Sequence, residues 1–516
     1  MQYTRTIEAT AMTEDNPDDD GRQPRQAVLW QWYEEPYNWI TFMLPTKSLI
    51  MKCQLLVLSV LLCTFLSCNT ATKTNRLGNA TRENKNGWIY VHLQGSPEDI
   101  GYQHGYLLSN EIDTTVQMLQ YFLQHETGKD WNFYRRAAAN FLWPKLDAEY
   151  KAEINGIVDG LKANNKNYDS LDITALNAME ELAYYYVPSL QNAQQPHSGD
   201  NKAPGNCSAF IATGSYTKDG KIVIGHNNWT SYIVGQHWNV IADIVPQKGN
   251  HILMDCMPGF IHSGDDFLIT DNGILITETT ITQFNLFDST GIPEFMRARK
   301  AAQYSNSIDD VIRIFTEGNN GGYANDWLIG DTKTNEVAKL ELGLKLHRVW
   351  RSKDTAMIGS NFASDPELIK QETTFITSDS TTSPNARKKR MEQLLLVDLK
   401  GKIDLETGKQ IEGDHVDALQ GKNANNRCVI CGHIDEDIKG CPEWSLPAYY
   451  PMGAVQGKVT TAALAANMQL WAHMGHPCGE DFVGDTFYKA HPEFAWMGKY
   501  LNNMKAYPWT MFEAKK

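Results

Sequence analysis

Cys207 is the side chain with the clearest chemical prospect in this 516-residue sequence. It follows Pro204-Gly205-Asn206, a small and flexible lead-in, and it opens the apolar run Ser208-Ala209-Phe210-Ile211-Ala212-Thr213. A thiol placed there can attack the preceding carbonyl, shift the chain onto sulfur and let water cut between Asn206 and Cys207. The product carries a nucleophile and a base on one residue. A free α-amine titrates near pH ~8 and lysine near ~10.4, so only the amine is a useful base at neutral pH. On this reading the chain makes its own catalytic terminus.

The elements that must position this thiol are two strands. Residues 208–216, a Thr217-Lys218-Asp219-Gly220 turn and residues 221–229 read as a β-hairpin. Folding about that turn sets Cys207 opposite Trp229 or Thr230 and His226 near Ile211. Asn227, Asn228 and Trp229 then lie close to the strand end that holds Cys207. Two readings of His226 stand: it polarises the thiol, or it is a hydrogen-bonded strand histidine. Trp229 and Asn228 are candidates for the wall of a substrate pocket.

Upstream, residues 88–93 read as a strand and residues 97–186 as largely helical, entered through a Ser96-Pro97-Glu98-Asp99 cap. Residues 191–205 are polar and contain Pro and Gly, as expected of an exposed linker ahead of the cut. Strands dominate residues 208–351, interrupted by helical stretches at 293–303 and 307–317. A helix over residues 386–396 places Arg387 and Arg390 on an exposed face as solvated charge. Strands in the middle and helices on either side make this a layered α+β chain.

The amino end reads as an export signal. Met51-Lys52 precedes an apolar stretch over residues 55–66, then Ser67-Cys68. About a dozen apolar residues are too few to span a bilayer, which needs ~20, but they suit a signal-peptide core. Cys68 is placed like the lipidated cysteine of a bacterial lipobox, with Phe65 departing from the usual aliphatic residue. The alternative is a plain secretory signal. The expected organisation is a non-native extension over 1–50, with Met51 the true start, and a lipoprotein-type signal over 51–68. A tether over 69–86, a helical fragment over 87–206 and a catalytic fragment over 207–516 follow. The expected location is the bacterial cell envelope, periplasmic or surface, with a lipid on Cys68 as membrane anchor.

Lys and Arg number 47 against 61 Asp and Glu, a net charge of −14 spread along the chain, which excludes nucleic acid as a partner. No G-x-S-x-G elbow of a serine hydrolase occurs. Three of the nine cysteines fall in the signal, at 53, 63 and 68. In an exported chain Cys428, Cys431, Cys441 and Cys478 favour disulfides. The competing reading is a zinc site built from Cys428, Cys431, His433, His473, His476 and Cys478. Its spacings are irregular and a second CxxC is missing, so no metal and no other cofactor is expected.

Cys207-Ser208-Ala209-Phe210 and Gly225-His226-Asn227-Asn228-Trp229-Thr230-Ser231-Tyr232 resemble the nucleophile hairpin of the phospholipase B-like family of N-terminal-nucleophile hydrolases. Glu278-Thr279-Thr280-Ile281 and Asn325-Asp326-Trp327-Leu328-Ile329-Gly330-Asp331 resemble that family's later segments, in the same order. His104-Gly105-Tyr106-Leu107-Leu108 and Glu153-Ile154-Asn155-Gly156-Ile157-Val158-Asp159-Gly160 are similar to the penicillin acyltransferase-type autoproteolytic acyltransferases. The resemblance implies a four-layer αββα sandwich, with two antiparallel sheets between helical layers, and two fragments that stay associated after the cut. It implies cleavage of small acylated amides or esters through an acyl-thioester on Cys207. It also points to Asn325 and the Thr279 region as oxyanion donors, with Asn361 a weaker candidate. Trp229 stands where the acyltransferases have aspartate, and Asp326 where the phospholipase B-like branch has glutamine. A non-catalytic ligand-binding lipoprotein on the same fold is the alternative.

Overall fold

The computed structural model describes residues 76–194, 207–264 and 267–515, so Cys68, the signal-like segment and Asn206 lie outside the described residues. Two large sheets organise the rest of the chain into a mixed α+β fold. In chain order the strands of these two sheets are β1 (Thr81–Lys85), β2 (Trp88–Gly95), β3 (Ser208–Thr213), β4 (Val223–Ser231), β5 (Val240–Pro246), β6 (Ile252–Cys256), β7 (Leu268–Thr270) and β8 (Ile274–Thr280). They continue with β9 (Asn325–Asp331), β10 (Glu336–Leu342), β11 (His347–Ser352), β12 (Thr355–Gly359), β13 (Met452–Thr461), β14 (Gln469–Met474) and β15 (Thr510–Glu513). One sheet has the order β1-β2-β5-β6-β7-β8-β9-β10-β11 and the other β12-β3-β4-β13-β14-β15.

Two features depart from the sequence reading. Residues 81–85, expected within a tether, form β1 and pair antiparallel with β2 through an Asn86-Gly87 turn, both residues at positive φ. Asn-Gly is the residue pair that such a two-residue turn demands. The larger sheet is also not purely antiparallel, because β2 pairs parallel with β5. The connection between them is long, passing through the front helices and then through β3 and β4 of the other sheet, which lets both strands run the same way.

Apolar alternation along the strands fixes what each face covers. Ala209, Ile211 and Ile224 of the smaller sheet pack with Ile241, Leu253, Leu275 and Leu328 of the larger one. The alternate residues Phe210, Ala212, Val223 and Val459 pack on Met391, Leu395, Ile403 and Ile411 instead. On the larger sheet Val240, Ala242, Ile276, Ile329 and Leu340 join the helical residues Ile112, Ile157, Phe295 and Val311.

The front helices explain two of the quoted motifs. Helices α1 (Pro97–Leu107) and α2 (Ala148–Ala163) cross at very short range through Gly101 and Gly105 on one and Gly156 and Gly160 on the other. A Cβ on Gly101 would collide with the carbonyl oxygen of Glu153, and one on Gly156 with that of Glu98. The contact is backbone to backbone, so neither side can yield by changing a rotamer. Gly156→Ala is therefore expected to lower unfolding free energy toward the upper end of the ~1–3 kcal/mol range of overpacking, read from urea denaturation.

Glu153 and His104, from the same motifs, are structural. Glu153 pairs with Arg299 at 3.1 Å, and Arg299 also donates to the carbonyl of Ile261 at 2.9 Å. His104 Nε2 accepts the Gly259 amide at 2.9 Å, and burial pulls its pKa from 6.5 down to about 4. Between those values the unfolded chain takes up a proton that the native chain refuses, so stability is lost as pH falls below about 6.5. From pH 7 to pH 5 the native chain should lose about 2 kcal/mol more stability than a His104→Gln variant, as paired denaturation curves would report.

Candidate active site

β3 and β4 hold the site. They pair Ser208 with Asn227, Ala209 with His226 and Ile211 with Ile224. The register differs by two residues from folding about Thr217–Gly220. β3 ends at Thr213, Gly214 takes φ 67° into a tight turn, and Thr217 bridges to Ile403 instead of extending the hairpin. His226 therefore faces Ala209, and the same register carried one step further sets Cys207 opposite Asn228. The shift brings the histidine closer to the thiol: ligating atoms of Cys207, His226 and Glu278 all lie within 4.8 Å of one another.

Cys207 is buried, and its thiol points at Glu278 Oε1 at 3.7 Å. Its φ of 92° is rare for a residue with a side chain and costs on the order of 1–3 kcal/mol. Glu278, on β8, is the hub of the site. Its Oε1 also accepts the Tyr323 hydroxyl at 3.1 Å, and Thr280 Oγ1 contacts that hydroxyl at 3.1 Å. With its amide oriented to satisfy both neighbours, Asn325 Nδ2 donates to Glu278 Oε2 at 2.8 Å and to the Ala324 carbonyl at 2.9 Å. Burial, helped by the Lys458 ammonium, pushes His226 well below the usual histidine range, so its ring is neutral. Thiol, neutral imidazole and carboxylate are groups for moving a proton off sulfur.

Arg387 completes the arrangement from helix α3 (Ser383–Gln393). It is fully buried. Its Nη1 donates to the Cys207 carbonyl at 2.6 Å and to Ser208 Oγ at 2.9 Å, Nη2 donates to Asn361 Oδ1 at 2.7 Å, and Nε donates to Ser383 Oγ at 2.9 Å. The guanidinium lies 4.3 Å over the Trp229 ring. Burial draws its pKa down to about 10, which leaves it cationic at neutral pH. Its four bonds go to neutral oxygens, so it brings positive potential to the peptide of Cys207.

This corrects the exposed reading of Arg387 and Arg390. Ser383, Arg387, Arg390 and Met391 share the buried face, and Arg390 forms a two-bond pair with Asp414 at 2.6 and 2.8 Å. Asn361 holds Arg387 and donates to the Thr280 carbonyl at 2.9 Å, linking both sheets at the site.

The remaining candidates separate. Asn227 lies on the opposite face of β4 from His226, and its amide donates to the carbonyls of Glu412 at 2.7 Å and Ile430 at 3.3 Å. Alternation along β4 thus takes it away from the thiol. Among the described residues, Asn228 Nδ2 and Thr279 Oγ1 are buried donors with no hydrogen-bond partner, and Thr279 packs against Gly359, the strand partner of Ala209. Trp229 is fully buried, bonded to the Ile430 carbonyl at 3.1 Å and set edge-on to Trp444, and its ring backs Arg387. Asp326 is a buried partner of Lys339 at 3.0 Å, with Glu341 on the same ammonium. Glu278 is the site residue that sequence reasoning gives no role; its signal is a single charged residue within the buried strand Ile274–Thr280.

A family model for phospholipase B matches residues 101–368, just over half of the chain and all of β3, β4, β8 and β9. The chain belongs to the phospholipase B family. An uncharacterized protein of Archaeoglobus fulgidus is 23% identical over 416 residues, 73% of this chain and 66% of that protein. Phospholipase B-like protein C of Dictyostelium discoideum is 24% identical over 290 residues, 48% of this chain and 50% of its own. Putative phospholipase B-like 2 of Bos taurus is 32% identical over 145 residues, 25% and 24% of the two chains. The chain thus spans about two thirds, half and a quarter of these relatives. Arg387, at the centre of the site, lies beyond the part matched by the phospholipase B model.

Proposed function

We propose that this phospholipase B family member is an autoproteolytic N-terminal-cysteine hydrolase on a four-layer αββα sandwich. The observation that carries the reading is Cys207 at the start of a buried central strand. Its thiol is on Glu278, its carbonyl is held by Arg387 and its backbone is strained at φ 92°. The apolar contacts between the two sheets, with helices on both outer faces, support the layered architecture.

Maturation then runs as follows. Glu278 Oε1 takes the thiol proton as Sγ attacks the Asn206 carbonyl carbon. The C–N bond breaks, the nitrogen leaves with that proton, and Asn206 is held as a thioester. Water hydrolyses the thioester, freeing a carboxylate on Asn206 and an α-amine on Cys207. The cut removes the peptide that defines φ at Cys207, so the strain is released with it. In turnover the α-amine accepts the thiol proton and returns it to the leaving group. Asn228 Nδ2 and Thr279 Oγ1, buried donors with no acceptor among the described residues, suit the oxyanion, each worth ~3 kcal/mol of barrier. Asn325 instead orients Glu278.

The substrate class is a small acylated amide or ester, and the mature enzyme is an exported protein anchored through a lipid on Cys68. Incubation with a panel of acyl amides and esters, followed by acid quench and intact mass, tests the chemistry. The expected result is one acyl group added to the fragment that begins at Cys207. No adduct and no turnover across the panel would favour ligand binding without catalysis.

A further inference from the structure

A second chemical cluster lies apart from the thiol of Cys207. One Nε2 from each of His415 and His433 and the sulfurs of Cys431 and Cys478 converge, with ligating atoms mutually within 4.8 Å. His433 Nε2 stands 3.3 Å from His415 Nε2 and 3.7 Å from Cys478 Sγ. With Zn–N of about 2.0–2.1 Å and Zn–S of about 2.3 Å, the edges of a tetrahedron are about 3.3 Å between nitrogens and about 3.6 Å from nitrogen to sulfur. The two measured edges agree with both.

The surroundings are built to aim these atoms. His415 Nδ1 meets Asn425 Oδ1 at 2.8 Å, which fixes the ring proton there and turns the Nε2 lone pair inward. Asn425 is itself oriented by donating to Glu436 at 3.0 Å and Glu480 at 2.9 Å. Cys431 is pinned by its amide to the Asp414 carbonyl and by its carbonyl to the Ala454 amide, and His433 bridges to Gly453. Two imidazole lone pairs at 3.3 Å repel unless a proton or a cation lies between them. A cation that also draws on two sulfurs accounts for all four groups. The donor set, two sulfurs and two imidazoles in a tetrahedron, selects zinc.

We propose that His415, Cys431, His433 and Cys478 form a structural zinc site. Binding displaces the two thiol protons, so Zn²⁺ with two thiolates is neutral overall and suits a largely buried position. The proposal departs from the sequence reading, which expected no metal, and its members differ from the competing zinc set named there: Cys428, His473 and His476 are not in this group, and His415 is. Its place in the fold gives it a purpose. Gly432, between two ligands and at φ 65°, packs so tightly on Trp229 that any side chain there would enter the ring. Asp414, next to His415, clamps Arg390 on the helix that carries Arg387. The metal would therefore lock the loop that backs the guanidinium, without touching substrate.

The test is elemental analysis of the full chain after incubation with Zn²⁺ and dialysis, with cobalt(II) loading as a second readout. About one zinc per chain is expected in the wild type and in the Cys428→Ser and Cys207→Ala variants, falling below about 0.1 in Cys431→Ser and His433→Ala. Retention in Cys207→Ala separates this site from the Cys207, His226 and Glu278 group. If a ligand variant does not fold, the wild type still decides. Cobalt should give the intense visible bands of a tetrahedral site with thiolate-to-metal charge transfer. A metal-free wild type, a Cys431–Cys478 disulfide in a non-reducing peptide map, or full zinc retention in Cys431→Ser would each overturn the proposal.

Discussion

Cys207→Ala should leave the polypeptide whole and reduce hydrolysis by on the order of 10³-fold or more, because one atom serves both the cut and the acyl transfer. The fold should survive. Removing one sulfur from a buried site costs about 1–3 kcal/mol at most, and alanine is common on the flanking strand. Cys207→Ser separates the two roles. A hydroxyl is a far weaker nucleophile than a thiolate, so cutting should slow and not stop. A denaturing gel followed over days, with turnover measured on the same samples, reads both effects.

Arg387→Ala is expected to be the most damaging single change outside Cys207. It strips donors from the Cys207 carbonyl, Ser208 Oγ and Asn361 Oδ1, all buried, and each orphaned acceptor costs about 1–3 kcal/mol. Allowing for relaxation around the gap, unfolding free energy should fall by about 3–5 kcal/mol. The Cys207 peptide loses its clamp at the same time, so cutting should slow as well. Arg387→Lys restores charge without the planar fork that reaches three acceptors together. It should recover part of the stability and little of the cutting rate. If lysine restored both, the guanidinium would be acting as charge alone.

The readable part of this site was the part carried by strands. Alternation and turn residues placed a hairpin behind Cys207, and the strand texture of residues 208–351 covers the segments that carry Glu278 and Asn325, whose pairing only the structure shows. The register was lost because Gly214 and the Thr217 bridge to Ile403 end β3 early, an event decided by a contact 186 residues away in sequence. Arg387 was missed for a related reason. A helix with several cations reads as solvent-facing, and nothing local reveals that Trp229 and three neutral oxygens wait on its inner side. His415 was missed because no spacing motif ties it to Cys431 and His433, and Cys478 lies beyond β14 in the chain.

The central claim, that the chain cuts itself ahead of Cys207, is tested most directly by intact mass and N-terminal analysis of purified protein. The expected result is two co-purifying fragments, with the second beginning at Cys207. A single uncut chain that still turns over substrate, or a new terminus at any other residue, would contradict it.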